Sequence, residues 1–116
     1  MTEISPAELA KLVRAVAVLA LPADGQIAWL SSLGMGEPGF ADELAMELED
    51  GALLAGQFVR AGWIEPEVGS AVAALDSFLA VKSRADTKDF WSLNSLRHDR
   101  EWDRIRSMAA DVLRAL

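Results

Sequence analysis

A chain of 116 residues is the length of one domain and can bury about two-thirds of its unfolded surface, enough for an unassisted core. It has no cysteine, which excludes disulfides, thiolate metal sites and cysteine nucleophiles. Its net charge of −7 argues against nucleic acid or an anionic membrane as a direct ligand, and 52% apolar residues with no tyrosine favour helix over sheet.

The first element is announced by Ser5-Pro6-Ala7-Glu8: a capping hydroxyl, a proline suited to the first helical position and an acid at the third. Leu9, Leu12, Val13, Val16 and Leu19 follow at helical spacing, and Pro22 ends the pattern, so a helix is predicted over 6–20. Asp24 is placed to cap a second helix through Gln26, Ile27, Trp29, Leu30 and Leu33, with Gly34 as its stop. Gly34-Met35-Gly36-Glu37-Pro38-Gly39 reads as a loop.

The segment after that loop has two readings. As a helix, Ala41, Leu44, Ala45, Leu48 and Ala52 share one face, and Asp42, Glu43, Glu47, Glu49 and Asp50 share the other. Such a helix cannot continue in phase, because Leu53 and Leu54 would then fall on the acidic face, so a break is expected at Asp50-Gly51 with Gly51 as terminator. As a strand, the segment would turn at Asp50-Gly51 into a short hairpin, but that register mixes polar and apolar side chains on one face, and the helix is preferred.

A further helix is predicted over about 52–61, with Leu54, Phe58 and Ala61 inward and Gly62 at its end. Trp63 and Ile64 lead into a helix opened by Glu65-Pro66-Glu67 and cored by Val68, Val72, Leu75, Phe78 and Leu79. After a polar connector at 83–89, Phe90, Trp91, Leu93 and Leu96 form a short helical turn. The last helix runs from about Asp99 to Arg114 on a stripe of Trp102, Ile105, Met108 or Ala109, Val112 and Leu116. Arg97 with Glu101 and Asp103 with Arg106 are its expected surface pairs. The fold class that results is all-α: a single compact domain over 1–116, a non-parallel bundle of five or six helices, with an α+β form carrying the hairpin as the alternative. The expected core includes Leu12, Val16, Leu30, Leu48, Phe58, Leu75, Leu79, Trp102, Ile105 and Val112. The tryptophans Trp29, Trp63, Trp91 and Trp102 are expected in the core as well, although Trp63 and Trp91 flank loops and could anchor an interface.

The chemistry-bearing residues argue against an enzyme. His98 is the only histidine, and Asp99 beside it in sequence does not face it on a helix, so no acid–base dyad results. Arg97, Arg100 and Arg104 make one face of the last helix basic, but interleaved Asp99, Glu101 and Asp103 make an ion-paired surface rather than a phosphate site. Gly34-Met35-Gly36 follows a helix rather than a strand and is no nucleotide fingerprint. The acids from Glu37 to Asp50 lack the spacing of a calcium loop, so no metal or cofactor is expected.

Charge is distributed unevenly. From Ala15 to Val59 the chain holds Asp24, Glu37, Asp42, Glu43, Glu47, Glu49 and Asp50 and neither lysine nor arginine, while the flanking segments are balanced. A block of this kind attracts a basic protein, so the expected binding residues are Glu37, Phe40, Asp42, Glu43, Met46, Glu47, Glu49 and Asp50, with Phe40 and Met46 as apolar anchors. A solvated face without function is the plainer alternative, and a self-associating scaffold built on Met35, Phe40 or Trp63 is a third reading that leaves monomer or homodimer open. The amino-terminal segment lacks the basic region of a signal peptide, and the apolar run from Ala15 to Ala23 is shorter than the roughly 20 residues that span a bilayer, so the expected location is cytoplasmic.

Two segments, Ala41-Asp42-Glu43-Leu44-Ala45-Met46-Glu47-Leu48-Glu49-Asp50 and Glu101-Trp102-Asp103-Arg104-Ile105-Arg106, resemble small acidic bacterial proteins of the immunity type. That resemblance implies a non-catalytic cytoplasmic helical protein that binds and neutralises one cognate toxin.

Overall fold

The computed structural model of the protein describes residues 4–33, 41–84 and 88–116, with 83, 84, 88 and 89 described by their backbone alone. Its elements are α1 (Pro6–Leu19), α2 (Ala23–Ser32), α3 (Asp42–Ala52), α4 (Ala55–Arg60), α5 (Pro66–Arg84), a 3-10 turn (Lys88–Trp91), α6 (Leu93–His98) and α7 (Arg100–Ala115). Five of these helices run ten residues or more, and α4 and α6 are six-residue pieces between them. The protein is all-α among the described residues: the preferred helical reading of the acidic segment holds as α3, and the alternative hairpin at Asp50-Gly51 does not form.

Four helices form the frame. α1 packs on α3 and on α7, and α5 packs on the same two, so the four close a ring in which α3 and α7 stand on opposite corners. α2 and α6 close one end, and α4 lies on α5. The radius of gyration is 14.0 Å, close to the roughly 13 Å that a compact chain of this length adopts.

Local chemistry explains most boundaries. Ser5 caps α1, its hydroxyl oxygen accepting from the Glu8 amide at 3.3 Å, and Pro6 fills the first turn where no amide donor is required. Asp99 caps α7 by accepting from the Glu101 amide at 2.8 Å. α4 ends in a Schellman turn: Gly62 takes φ +77, its amide donates to Val59 at 3.0 Å, and the Trp63 amide donates to Phe58 at 2.9 Å. Glycine is needed there because an L side chain at that φ meets its own backbone.

All ten expected core residues are buried, with Trp102 at the centre of an aromatic cluster. Its ring stacks on Phe90 at 5.0 Å and meets Trp91 edge-on at 5.9 Å, and its indole N–H donates to the Phe90 carbonyl at 2.9 Å. That bond is why so polar-tipped a ring tolerates complete burial. The other three tryptophans differ from expectation: Trp29 and Trp91 are half-buried and Trp63 is 40% exposed. Phe78 is half-buried, its ring covered by the Lys82 ammonium at 5.5 Å and the Arg104 guanidinium at 5.1 Å, and Leu116 is exposed at the end of α7.

Four further expectations are corrected. α2 begins at Ala23, one residue before Asp24, which therefore lies in the first turn and makes no capping bond. The helix expected over 52–61 shortens to Ala55–Arg60, because α3 continues to Ala52. Gly51 does not terminate α3 but lies inside it, facing α1: a Cβ there would stand 2.8 and 2.9 Å from Leu12 side-chain atoms and 3.2 Å from its Cα. The glycine thus lets the two helices approach closely at this point. Arg97 pairs with Asp24 at 3.7 Å rather than with Glu101, whose carboxylate meets Lys82 at 3.5 Å; the Asp103–Arg106 pair forms as expected at 3.0 Å.

Candidate functional site

The acidic segment becomes α3, and its neighbours fix which way each carboxylate faces. Gly51 against Leu12 and Glu47 against Arg14 show that α3 runs antiparallel to α1. Its amino end is held by a bond from the Ala41 amide to the Trp91 carbonyl at 3.2 Å, which ties the helix to the aromatic cluster. Leu44, Ala45, Leu48 and Gly51 are buried between α1 and α5. At 100° per residue, that leaves Glu43, Met46, Asp50 and Leu53 along the solvent ridge, with Glu47 on the α1 edge and Asp42 and Glu49 on the α5 edge.

The electrostatics are one-sided. α3 carries five carboxylates and no base. Glu47 alone of these pairs with a described cation, Arg14 at 3.7 Å, and the block's Asp24 is met by Arg97. The segment that has no bases in sequence thus borrows two from its flanks. Asp42, Glu43, Glu49 and Asp50 have no cationic partner among the described residues. Asp42 and Glu43 occupy the first turn, where the helix dipole favours a negative charge, so part of the acidity has a local structural cause. Glu49 acts across the α3–α5 contact: burial first, and the nearby Glu49 charge second, push the Asp76 carboxyl above the ordinary aspartate range.

The ridge also carries apolar surface. Met46 is 54% exposed and Leu53 is 76% exposed, two helical turns apart with Asp50 between them. Met46 was expected here. Leu53 was not: α3 breaks after Ala52, two residues later than Asp50-Gly51, and Leu53 stands in water as its C-cap. The signal was legible as an apolar residue in acidic phase. Glu37 and Phe40, the remaining expected site residues, lie outside the described residues.

A second apolar surface lies beside the ridge. Pro6, Leu9, Ala10, Val13 and Arg14 of α1 and Trp63 after α4 line an open groove of about 680 Å³. Arg14 is shared, lining the groove and pairing with Glu47. Groove and ridge are therefore neighbours across one ion pair.

His98 is exposed at the α6 terminus, and Arg106 is committed to Asp103, Gln26 and the Leu96 carbonyl. Among the described residues no three acidic or histidine side chains converge to hold a metal ion, and no helix is long and apolar enough to cross a membrane. Compared with protein-family models, with curated proteins and with solved structures, the chain shows no significant match.

Proposed function

We propose that the protein is a non-catalytic binding module that holds one basic protein partner on the solvent ridge of α3. The observation that carries this reading is the pair Met46 and Leu53, 54% and 76% exposed on the otherwise acidic solvent side of α3, Met46 within the helix and Leu53 at its C-cap. A face kept only for solubility has no use for two large apolar side chains between its carboxylates. Apolar anchors that leave water on binding, ringed by charge that steers the encounter, are what a docking surface requires. The field of Glu43, Glu47, Glu49 and Asp50 speeds approach of a cationic surface, and the anchors slow its departure. The resemblance of 41–50 and 101–106 to bacterial immunity proteins narrows the partner to a cognate toxin met in the cytoplasm. If that toxin is a nuclease, the carboxylates take the place of nucleic-acid phosphates and inhibition is competitive.

A photo-crosslinking residue at Met46, expressed in the native cell, would capture the partner for identification. Association of the captured protein would then be timed against wild type and the triple variant Glu43→Lys, Glu47→Lys, Asp50→Lys. Slowing by about tenfold or more at low salt, and a wild-type rate that falls as salt rises, is the expected result. A salt-independent rate that survives the triple reversal would reduce the acidic face to a solvated surface.

A further inference from the structure

The interleaved acids of α7 do not neutralise its arginines as the sequence suggests. Glu101 meets Lys82 of α5 at 3.5 Å, Asp103 is held by Arg106 at 3.0 Å, and Asp99 caps the helix by accepting from the Glu101 amide. Arg100 and Arg104, one helical turn apart and both exposed, meet no carboxylate among the described residues. Arg104 lies against α5, its guanidinium 5.1 Å from the centre of the Phe78 ring, and the Lys82 ammonium stands over the same ring at 5.5 Å. Val81, 56% exposed, follows Phe78 by three residues on that outer side of α5. The α5–α7 face therefore combines two unpaired guanidinium groups with apolar surface that water reaches.

This face is the counterpart of the α3 ridge, where exposed Met46 and Leu53 stand among carboxylates that have no cationic partner among the described residues. The two occupy opposite corners of the ring of four helices. On α5, which packs on both, Asp76 lies in the field of Glu49 of α3 while Phe78 meets Arg104 of α7, and the two positions are about 200° apart around the helix. One molecule thus carries both halves of a complementary pair and cannot bring them together itself. We infer that the α5–α7 face docks the α3 ridge of a second copy of this chain, Arg100 and Arg104 against Glu49 and Asp50, and Val81 against Met46 and Leu53. The net charge of −7 does not prevent this. The molecule measures 26 × 25 Å across its short axes, so the acidic corners of two copies joined head to tail stand well beyond the Debye length of about 8 Å at physiological salt. Because the faces lie on different sides of one molecule, the contact is heterologous and does not close at a dimer: every pair leaves one ridge and one basic face open. The inference rests on α3 as a docking surface, as the basic-partner reading does, and adds that self-association and partner binding compete for that ridge.

Sedimentation of the full chain alone, with no partner present, tests it. At low salt the average mass should rise with concentration past that of a dimer, and at about 1 M salt, where charges are screened beyond about 3 Å, it should return to that of the monomer. Arg100→Glu with Arg104→Glu, and separately Glu49→Lys with Asp50→Lys, should each weaken the association by about tenfold or more at low salt. All four side chains are exposed, so circular dichroism should show the helical fold unchanged in both variants. The quadruple variant that carries both pairs of reversals keeps the net charge of −7 and exchanges the signs of the two faces, and should associate as the original chain does. That recovery separates docked faces from a general effect of net charge. Failure of the quadruple variant to recover, or association that survives either pair of reversals, would overturn the inference. A strict monomer at every concentration at low salt would also overturn it and would leave the basic-partner reading standing, since that reading needs only the ridge. A ridge that docks its own copy but captures no basic protein would overturn the partner reading alone.

Discussion

Gln26 and Arg106, 80 residues apart, are joined by a hydrogen bond of 3.1 Å from the Arg106 Nε to the Gln26 Oε1. Gln26 is fully buried, and its amide nitrogen donates to the Val18 and Leu19 carbonyls at 3.3 and 3.0 Å. It thereby supplies a donor to the Leu19 carbonyl, which ends α1, and a second one to the Val18 carbonyl, which also accepts from the Leu21 amide at 3.1 Å. Arg106 also donates to Asp103 and to the Leu96 carbonyl at the end of α6. One amide and one guanidinium tie the end of α1, the first turn of α2 and the Leu96 carbonyl of α6 to the middle of α7. Burial lowers the Arg106 pKa and Asp103 opposes that shift; the group stays charged because its hydrogen bonds replace water.

Removing either partner leaves one group of the other, the Gln26 Oε1 or the Arg106 Nε, without its bond in a partly buried site. Gln26→Leu and Arg106→Met are each expected to lower the unfolding free energy by about 2–4 kcal/mol. The double variant should cost about 1 kcal/mol less than the sum of the two. Urea denaturation of the four proteins measures the coupling, and strict additivity would show that the two side chains stabilise separately.

Gly51→Ala is expected to destabilise the protein by about 1–3 kcal/mol, although alanine is the better helix former by about 1 kcal/mol. The added methyl would meet the Leu12 Cα at 3.2 Å, and a backbone atom cannot rotate away as a side-chain end can. A rise in the denaturation midpoint would mean that α1 and α3 separate freely. Gly51→Ala is thus a direct reading of how tightly the ridge-bearing helix is held.

Leu53 and Leu48 lie five residues apart and should respond oppositely. Leu53→Ser is expected to change stability by no more than about 0.5 kcal/mol, because the side chain is 76% exposed. Leu48→Ala, at a site with no exposure, should cost about 2–5 kcal/mol. Thermal or chemical denaturation separates the two. A large loss from Leu53→Ser would place that side chain in the core and remove it from the binding ridge.

The Asp76 carboxyl, raised by burial and by Glu49, makes stability depend on pH with a definite sign. Between the ordinary aspartate pKa and the raised one, the folded protein keeps a proton that the unfolded chain has released. This contribution to stability is present below the unfolded value and is lost as pH rises through the folded one. Asp76→Asn should therefore flatten that part of the profile, most visibly when denaturation midpoints are followed from about pH 4 to about pH 7. An unchanged profile would show that Asp76 titrates alike in both states.

Helix starts, helix phases and the identity of the core follow from information within one or two turns of chain. Ser5 with Pro6, and Asp99 ahead of Arg100, act on amides three or fewer residues away, and the apolar period of Trp102, Ile105, Ala109 and Val112 is a property of the helix itself. The sequence alone therefore determined an all-α protein, the acidic face of α3 and the residues buried beneath it. Tertiary structure decided whatever depends on a neighbour remote in sequence. Gly51 reads locally as a terminator, and only the approach of Leu12 makes it a packing residue inside a continuous helix. Glu47 and Asp24 read as unpaired acids until Arg14 and Arg97 arrive from outside the block. Gln26 has nothing local that marks it for burial until α1 and α7 enclose it, and Trp63 reads as core or interface anchor until the fold leaves its ring 40% exposed after the Schellman turn. The physical reason is range: caps and periodicity are short-range effects carried by the chain itself, whereas burial, close approach and charge pairing exist only once the helices have packed.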